Sequence, residues 1–109
     1  MSDNNIIEKA HNLFEENLYN ECLEIISDYI NAAPDNDSEL IECLLLRGDV
    51  YRKLAKFGDA LRDYRSVIQI DKDNTIAQTK IGLVENILSI ENTFYYENPY
   101  TDLDLLPEM

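Results

Sequence analysis

The chain repeats itself, and the repeat limits the possible folds more than any other feature. Displaced by 38 residues, AHNLFEENLYNECLEIISDYI (10–30) falls on GDVYRKLAKFGDALRDYRSVI (48–68). The pairs Ala10/Gly48, Leu13/Tyr51, Tyr19/Phe57, Cys22/Ala60, Leu23/Leu61, Ile26/Tyr64, Tyr29/Val67 and Ile30/Ile68 keep size class or apolarity. A period of this length marks stacked supersecondary units, none of which can bury its apolar face alone.

Spacing within the unit identifies a helical hairpin. Leu44, Gly48 and Tyr51 share one stripe at i, i+4, i+7, and Ala60, Tyr64, Val67 and Ile68 form another. The small residues Ala10, Cys22, Gly48 and Ala60 fall mid-hairpin, where two helix backbones approach closely and aromatic rings fill the adjoining holes. Helices are expected over about 4–16, 20–32, 39–54, 58–70 and 75–92, with Asp3, Asp37 or Ser38, and Asp73 or Asn74 as N-caps. The expected fold class is all-α: hairpins over about 3–34 and 39–72, then a capping helix over about 74–92. A length of 109 residues suits one such core.

The segment LLLRGDVYRKLAKFGDALRDYRSVIQID resembles a tetratricopeptide repeat (TPR). Gly48, Tyr51, Ala60 and Tyr64 stand at that family's small, Tyr, Ala and aromatic positions, with Leu44 at its leading large-residue site. The first unit matches more loosely through Ala10, Leu13, Cys22, Ile26 and Pro34. Departures fall at Lys9, Tyr29, Arg47, Val67 and Lys72, and the units lie 38 rather than 34 residues apart. Other helix-pair solenoids share part of the pattern. The resemblance implies a right-handed α-solenoid fragment of two repeats, closed by a lone helix with Gly82 at the small position.

That last helix is apolar on two faces. Ala77, Ile81, Val84 and Leu88 form one stripe, while Ile76, Leu83, Ile87, Ile90 and Phe94 form a second. The first is expected to pack on the second hairpin, and the second needs a cover. Residues 93–109, TFYYENPYTDLDLLPEM, supply aromatics and leucines. They are expected to pack on the capping helix at least to Tyr100. ILSIENTFYYENPY resembles the C-terminal segment of small stand-alone bacterial TPR proteins. A homodimer contact through the same stripe and a short leucine-rich bait, DLDLL, are the alternatives.

Composition removes several functions. A formal charge of -13 repels phosphate backbones and anionic lipid, so neither nucleic acid nor membrane is an expected partner. No basic, apolar leader and no bilayer-length apolar run occurs, and Cys22 and Cys43 fit no metal-knuckle spacing. A cytoplasmic protein is expected. His11 is the sole histidine, so a His-based metal cluster cannot form, and a catalytic triad would have to gather at that one residue. Glu15, Glu16, Glu21, Glu24 and Asp28 read as a solvated helix face rather than a cation site. No enzyme, cofactor or metal is expected.

The resemblance implies a concave groove lined by the first helix of each unit. Carried across, its positions are Asn4, Ile7, His11 and Glu15 in the first unit, and Glu42, Leu45, Asp49, Arg52 and Lys53 in the second. The capping helix adds Ile76, Thr79, Leu83 and Asn86. Co-chaperone TPR domains grip acidic C-termini with a clamp of Lys, Asn, Asn, Lys and Arg. The matching positions here hold Ile7, His11, Leu46, Ile76 and Lys80, so no such clamp is expected. The implied function is a non-enzymatic protein-interaction module taking an apolar or basic segment, with Ile7, Leu45, Arg52 and Leu83 as leading contacts. The alternative is a structural homodimer through the outer face of the capping helix. The chain is expected to be a monomer or a weak homodimer.

Overall fold

The computed structural model describes the backbone of residues 2–97 and the side chains of residues 6–91. Within that span the protein is all-helical: α1 (Ser2–Glu15), α2 (Tyr19–Asn31), α3 (Asp37–Lys53), α4 (Phe57–Ile70) and α5 (Thr75–Glu97). Each helix packs on the next in the chain, and α1 also touches α3. The 38-residue offset survives at atomic detail. Seven of the eight sequence pairs share an exposure class, and only Leu23/Leu61 differs, so the two hairpins bury equivalent positions.

The turns inside the two hairpins are copies of one another. At the end of α1, Asn17 N donates to Phe14 O (3.0 Å) and Leu18 N to Leu13 O (2.9 Å). Thirty-eight residues on, Ala55 N donates to Arg52 O (3.0 Å) and Lys56 N to Tyr51 O (2.7 Å). This double closure satisfies the last carbonyls of a helix and requires one left-handed residue after it. Asn17 and Ala55 occupy that conformation, with φ of 64° and 60°. Ala33, with φ 58°, ends α2 in the same way, but only the Ala33 N to Ile30 O bond (2.9 Å) forms. Pro34 follows it and has no N–H for the second bond.

Three boundaries differ from the sequence reading. The N-cap of α3 is Asn36 rather than Asp37 or Ser38, because its Oδ1 accepts from Ser38 N (2.8 Å) and Glu39 N (3.3 Å). Asn74 caps α5 as expected, accepting from Ala77 N at 2.8 Å. Helix α1 begins at Ser2, which puts Asp3 inside it; the Asp3 side chain lies outside the described residues. Helix α5 runs to Glu97 instead of ending near residue 92. The backbone of 93–97 therefore lengthens the helix and does not fold over it. The expected packing of the segment beyond, 98–109, lies outside the described residues.

The core is continuous along the stack. Ile7, Ala10, Cys22, Ile26, Tyr29, Cys43, Leu46 and Val50 bury together between α1, α2 and α3. Ala60, Leu61, Tyr64 and Val84 join α4 to α5, and Leu44, Val67 and Ala77 join α3, α4 and α5. Gly48 marks the tightest crossing. A Cβ there would lie 2.8 Å from Tyr64 Cδ1 and nearer still to Cε1, so only glycine admits the ring. In the first unit Ile26 replaces Tyr64, and alanine fits at position 10. Gly82 does not follow suit: nothing lies within 4 Å of a Cβ built on it, so its small size serves no packing.

Among the described residues one charged side chain is buried in this core. Asp63 is 1% exposed and receives both arms of Arg47, Nε to Oδ2 at 2.8 Å and Nη2 to Oδ1 at 2.9 Å. Arg47 Nη1 reaches on to Ser27 Oγ (3.3 Å), tying α2, α3 and α4 together. A two-pronged charged hydrogen bond of this kind offsets the desolvation of both partners. The Asp63 hydrogen bond raises the Arg47 pKa against the opposing effect of burial.

Candidate functional site

The groove candidates come from α1, α3 and α5, and polar bridges bring these three helices to one side. His11 Nε2 lies 3.2 Å from Glu42 Oε2, linking α1 to α3. Lys80 Nζ donates to both oxygens of Asp49, at 3.0 and 3.1 Å, linking α3 to α5. Asp49 also accepts from the Tyr64 hydroxyl (2.5 Å) and pairs with Arg52 Nη2 at 3.6 Å. Arg52 Nε in turn donates to the Tyr64 oxygen at 3.5 Å. Burial, with the Asp49 hydrogen bond second, holds the Tyr64 phenol well above its ordinary pKa, so it stays protonated and keeps donating.

The fold uses each of the consecutive residues Arg47, Gly48 and Asp49 in the middle of α3. Arg47 serves Asp63, Gly48 admits Tyr64, and Asp49 joins Tyr64 to Lys80. Two partners in the junction, Lys80 and Tyr64, were absent from the groove positions read from sequence. Their signal was present as Tyr64 sixteen residues after Gly48 and Lys80 thirty-one after Asp49, but only the folded helices convert that spacing into a contact.

The remaining candidates divide. Glu15, Glu42, Lys53, Thr79 and Asn86 are exposed, while His11, Asp49 and Arg52 are half-buried. Ile76 is 55% and Leu83 45% exposed, and with Thr75, Thr79 and Lys80 they line a shallow depression on α5. Ile7 is corrected: it sits in the first core cluster at 7% exposure and offers a partner almost nothing. Leu45 is half-buried and packs against two core clusters, so it serves the fold as much as the surface. The Asn4 side chain lies outside the described residues.

Cys22 and Cys43 are fully buried free thiols. Burial pushes Cys22 up to about 11; burial and then the charges of Glu42 and Glu39 push Cys43 up to about 12. A nucleophilic thiol needs the opposite shift. Among the described residues no group of three metal-ligating side chains comes together. No described helix is long and apolar enough to cross a membrane. Of the five clamp positions, Ile7 and Leu46 are in the core and Lys80 is committed to Asp49.

A second depression lies at the other end of the stack, between α1 and α2, lined by Ile6, Lys9, Ile25, Asp28, Tyr29 and Ala32. Its counterparts 38 residues on include Leu44, Arg47, Ser66 and Ile70, which line a depression flanked by Ile30 of α2. Comparison with protein-family models, curated proteins and solved structures gives no match to the chain.

Proposed function

We propose that this chain is a TPR-type, non-enzymatic interaction module that holds an apolar or basic peptide segment on the face shared by α1, α3 and α5. The observation that carries the reading is the pair of bridges, His11–Glu42 and Asp49–Lys80, which set three alternate helices side by side next to exposed Ile76 and Leu83. Such a strip offers apolar anchors on α5 and hydrogen-bonding groups on α3, the combination that suits an extended or helical segment. Exposed Glu15 and Glu42, within a chain of charge -13, favour a basic ligand over an acidic one. Paired Lys80 speaks against capture of a C-terminal carboxylate. Two buried, free thiols fit a reducing compartment, and cytoplasm is the proposed location.

The test is affinity capture from the native cell with the wild-type chain and an Ile76→Asp, Leu83→Asp variant. Both positions are exposed, so the helical circular dichroism should be unchanged while capture of the wild-type partner is lost. Capture that persists in the variant removes α5 from the binding face. Leu45 is a poor choice for this purpose, since its substitution also disturbs the core.

A further inference from the structure

The outer face of α5 is an apolar stripe without a described neighbour: Ile76, Leu83 and Ile90 are 55%, 45% and 69% exposed. These residues are seven apart, so they are symmetric about Leu83. We propose that this face pairs with a second copy of the chain, antiparallel, with Leu83 against Leu83 of the second copy and Ile76 against Ile90 of the second copy.

Symmetry and charge both favour that occupant. A two-fold contact places each residue opposite the one equally far from Leu83 on the other side, and the stripe repeats itself under that operation. The charges do as well. Residues 75–91 hold one base and two acids, Lys80, Glu85 and Glu91, in a chain of charge -13, so two copies meeting on α5 repel little. In the antiparallel register Lys80 meets Asn86 of the second copy, and no like charges oppose. Glu91 meets Thr75 of the second copy, at the N-terminus of that helix, where the helix dipole welcomes an acid. A parallel pair would instead set Glu91 against itself. One helix pair is a small interface, so the dimer is weak and concentration-dependent.

The pairing goes beyond the groove reading and does not depend on it. It does cover Ile76 and Leu83, so dimer and bound segment exclude one another on α5. Self-association would then hold the partner face closed at high concentration.

Sedimentation velocity of the full chain, from about 5 to about 500 μM, reads the association directly. The expected result is a monomer that shifts to dimer with concentration, more readily at high salt because screening weakens the repulsion between acidic copies. Leu83→Lys should abolish the shift. A short bis-maleimide tests the register, with no background from buried Cys22 and Cys43. It should join Leu83→Cys to itself and Ile76→Cys to Ile90→Cys. It should not join Ile76→Cys to itself, because those sites lie about 21 Å apart along the helix axis. A monomer throughout the range, a dimer indifferent to Leu83→Lys, or self-joining of Ile76→Cys overturns the proposal. So does a full-length monomer that dimerises once residues 98–109 are removed, since that segment would then be the cover.

Discussion

Residues of one type can matter very differently in this fold, and their substitutions should behave in opposite ways. Gly48 and Gly82 are both helical glycines at the repeat's small position, yet Gly48 faces the Tyr64 ring and Gly82 faces open space. Gly48→Ala should cost about 1–3 kcal/mol by overpacking. Gly82→Ala should add about 1 kcal/mol through helix propensity alone. Thermal melts of the two variants check both signs. Asp63→Ala leaves Arg47 partly buried and unpaired and should cost about 3–5 kcal/mol in urea unfolding, whereas replacing both partners by leucine should cost far less. The thiols give a pH signature. Their folded pKa values, about 11 for Cys22 and about 12 for Cys43, lie above the ordinary 9.0, so the stability they contribute is complete below pH 9. It is lost as pH rises toward those folded values, because the unfolded chain ionises first. Melting temperature should therefore fall above pH 9, and fall less in a chain carrying Cys22→Ala and Cys43→Ala.

Helix periodicity was legible because each apolar stripe is longer than the error in its ends. All five helices lie where the spacing of Ala10, Cys22, Gly48, Ala60 and Ala77 places them. Their ends are decided by one or two hydrogen bonds, which sequence weighs poorly. Asn36 outcompetes Asp37 because its side chain reaches two amides from outside the helix. Ala33 and Ala55 hold left-handed positions that favour glycine, so neither residue signals its own conformation, although both helices end within one residue of the expected 32 and 54. Ala55→Gly should stabilise the protein by about 0.5–1 kcal/mol, the release of left-handed strain less the entropy added to the unfolded chain. The same change at a helical alanine such as Ala60 should destabilise it, and chemical denaturation separates the two. Helix α5 was read correctly as apolar on two faces: Ala77 and Val84 are buried, while Ile76, Leu83 and Ile90 are exposed.

At the scale of the molecule, the packing order follows from the repeat, but the candidate face was only half legible. His11 and Asp49 do bridge to neighbouring helices, through Glu42 and Lys80, whereas Ile7 turned into the core and Lys80, read only as a clamp position, is an ion-pair partner of Asp49. The reason is that a repeat fixes which helix a residue is on more firmly than how far it is rotated. A rotation of one residue moves Ile7 from groove to core. Helices that meet chiefly their chain neighbours have a further consequence, which appears in time rather than space. Helix α5 packs principally on α4, while α3 and α4 are each held from both sides. Amide hydrogen exchange should therefore be layered. Amides around Val84 should exchange through a partial opening that frees α5 alone, with a denaturant dependence smaller than that of global unfolding. Those around Val50 and Val67 should wait for the whole stack to unfold.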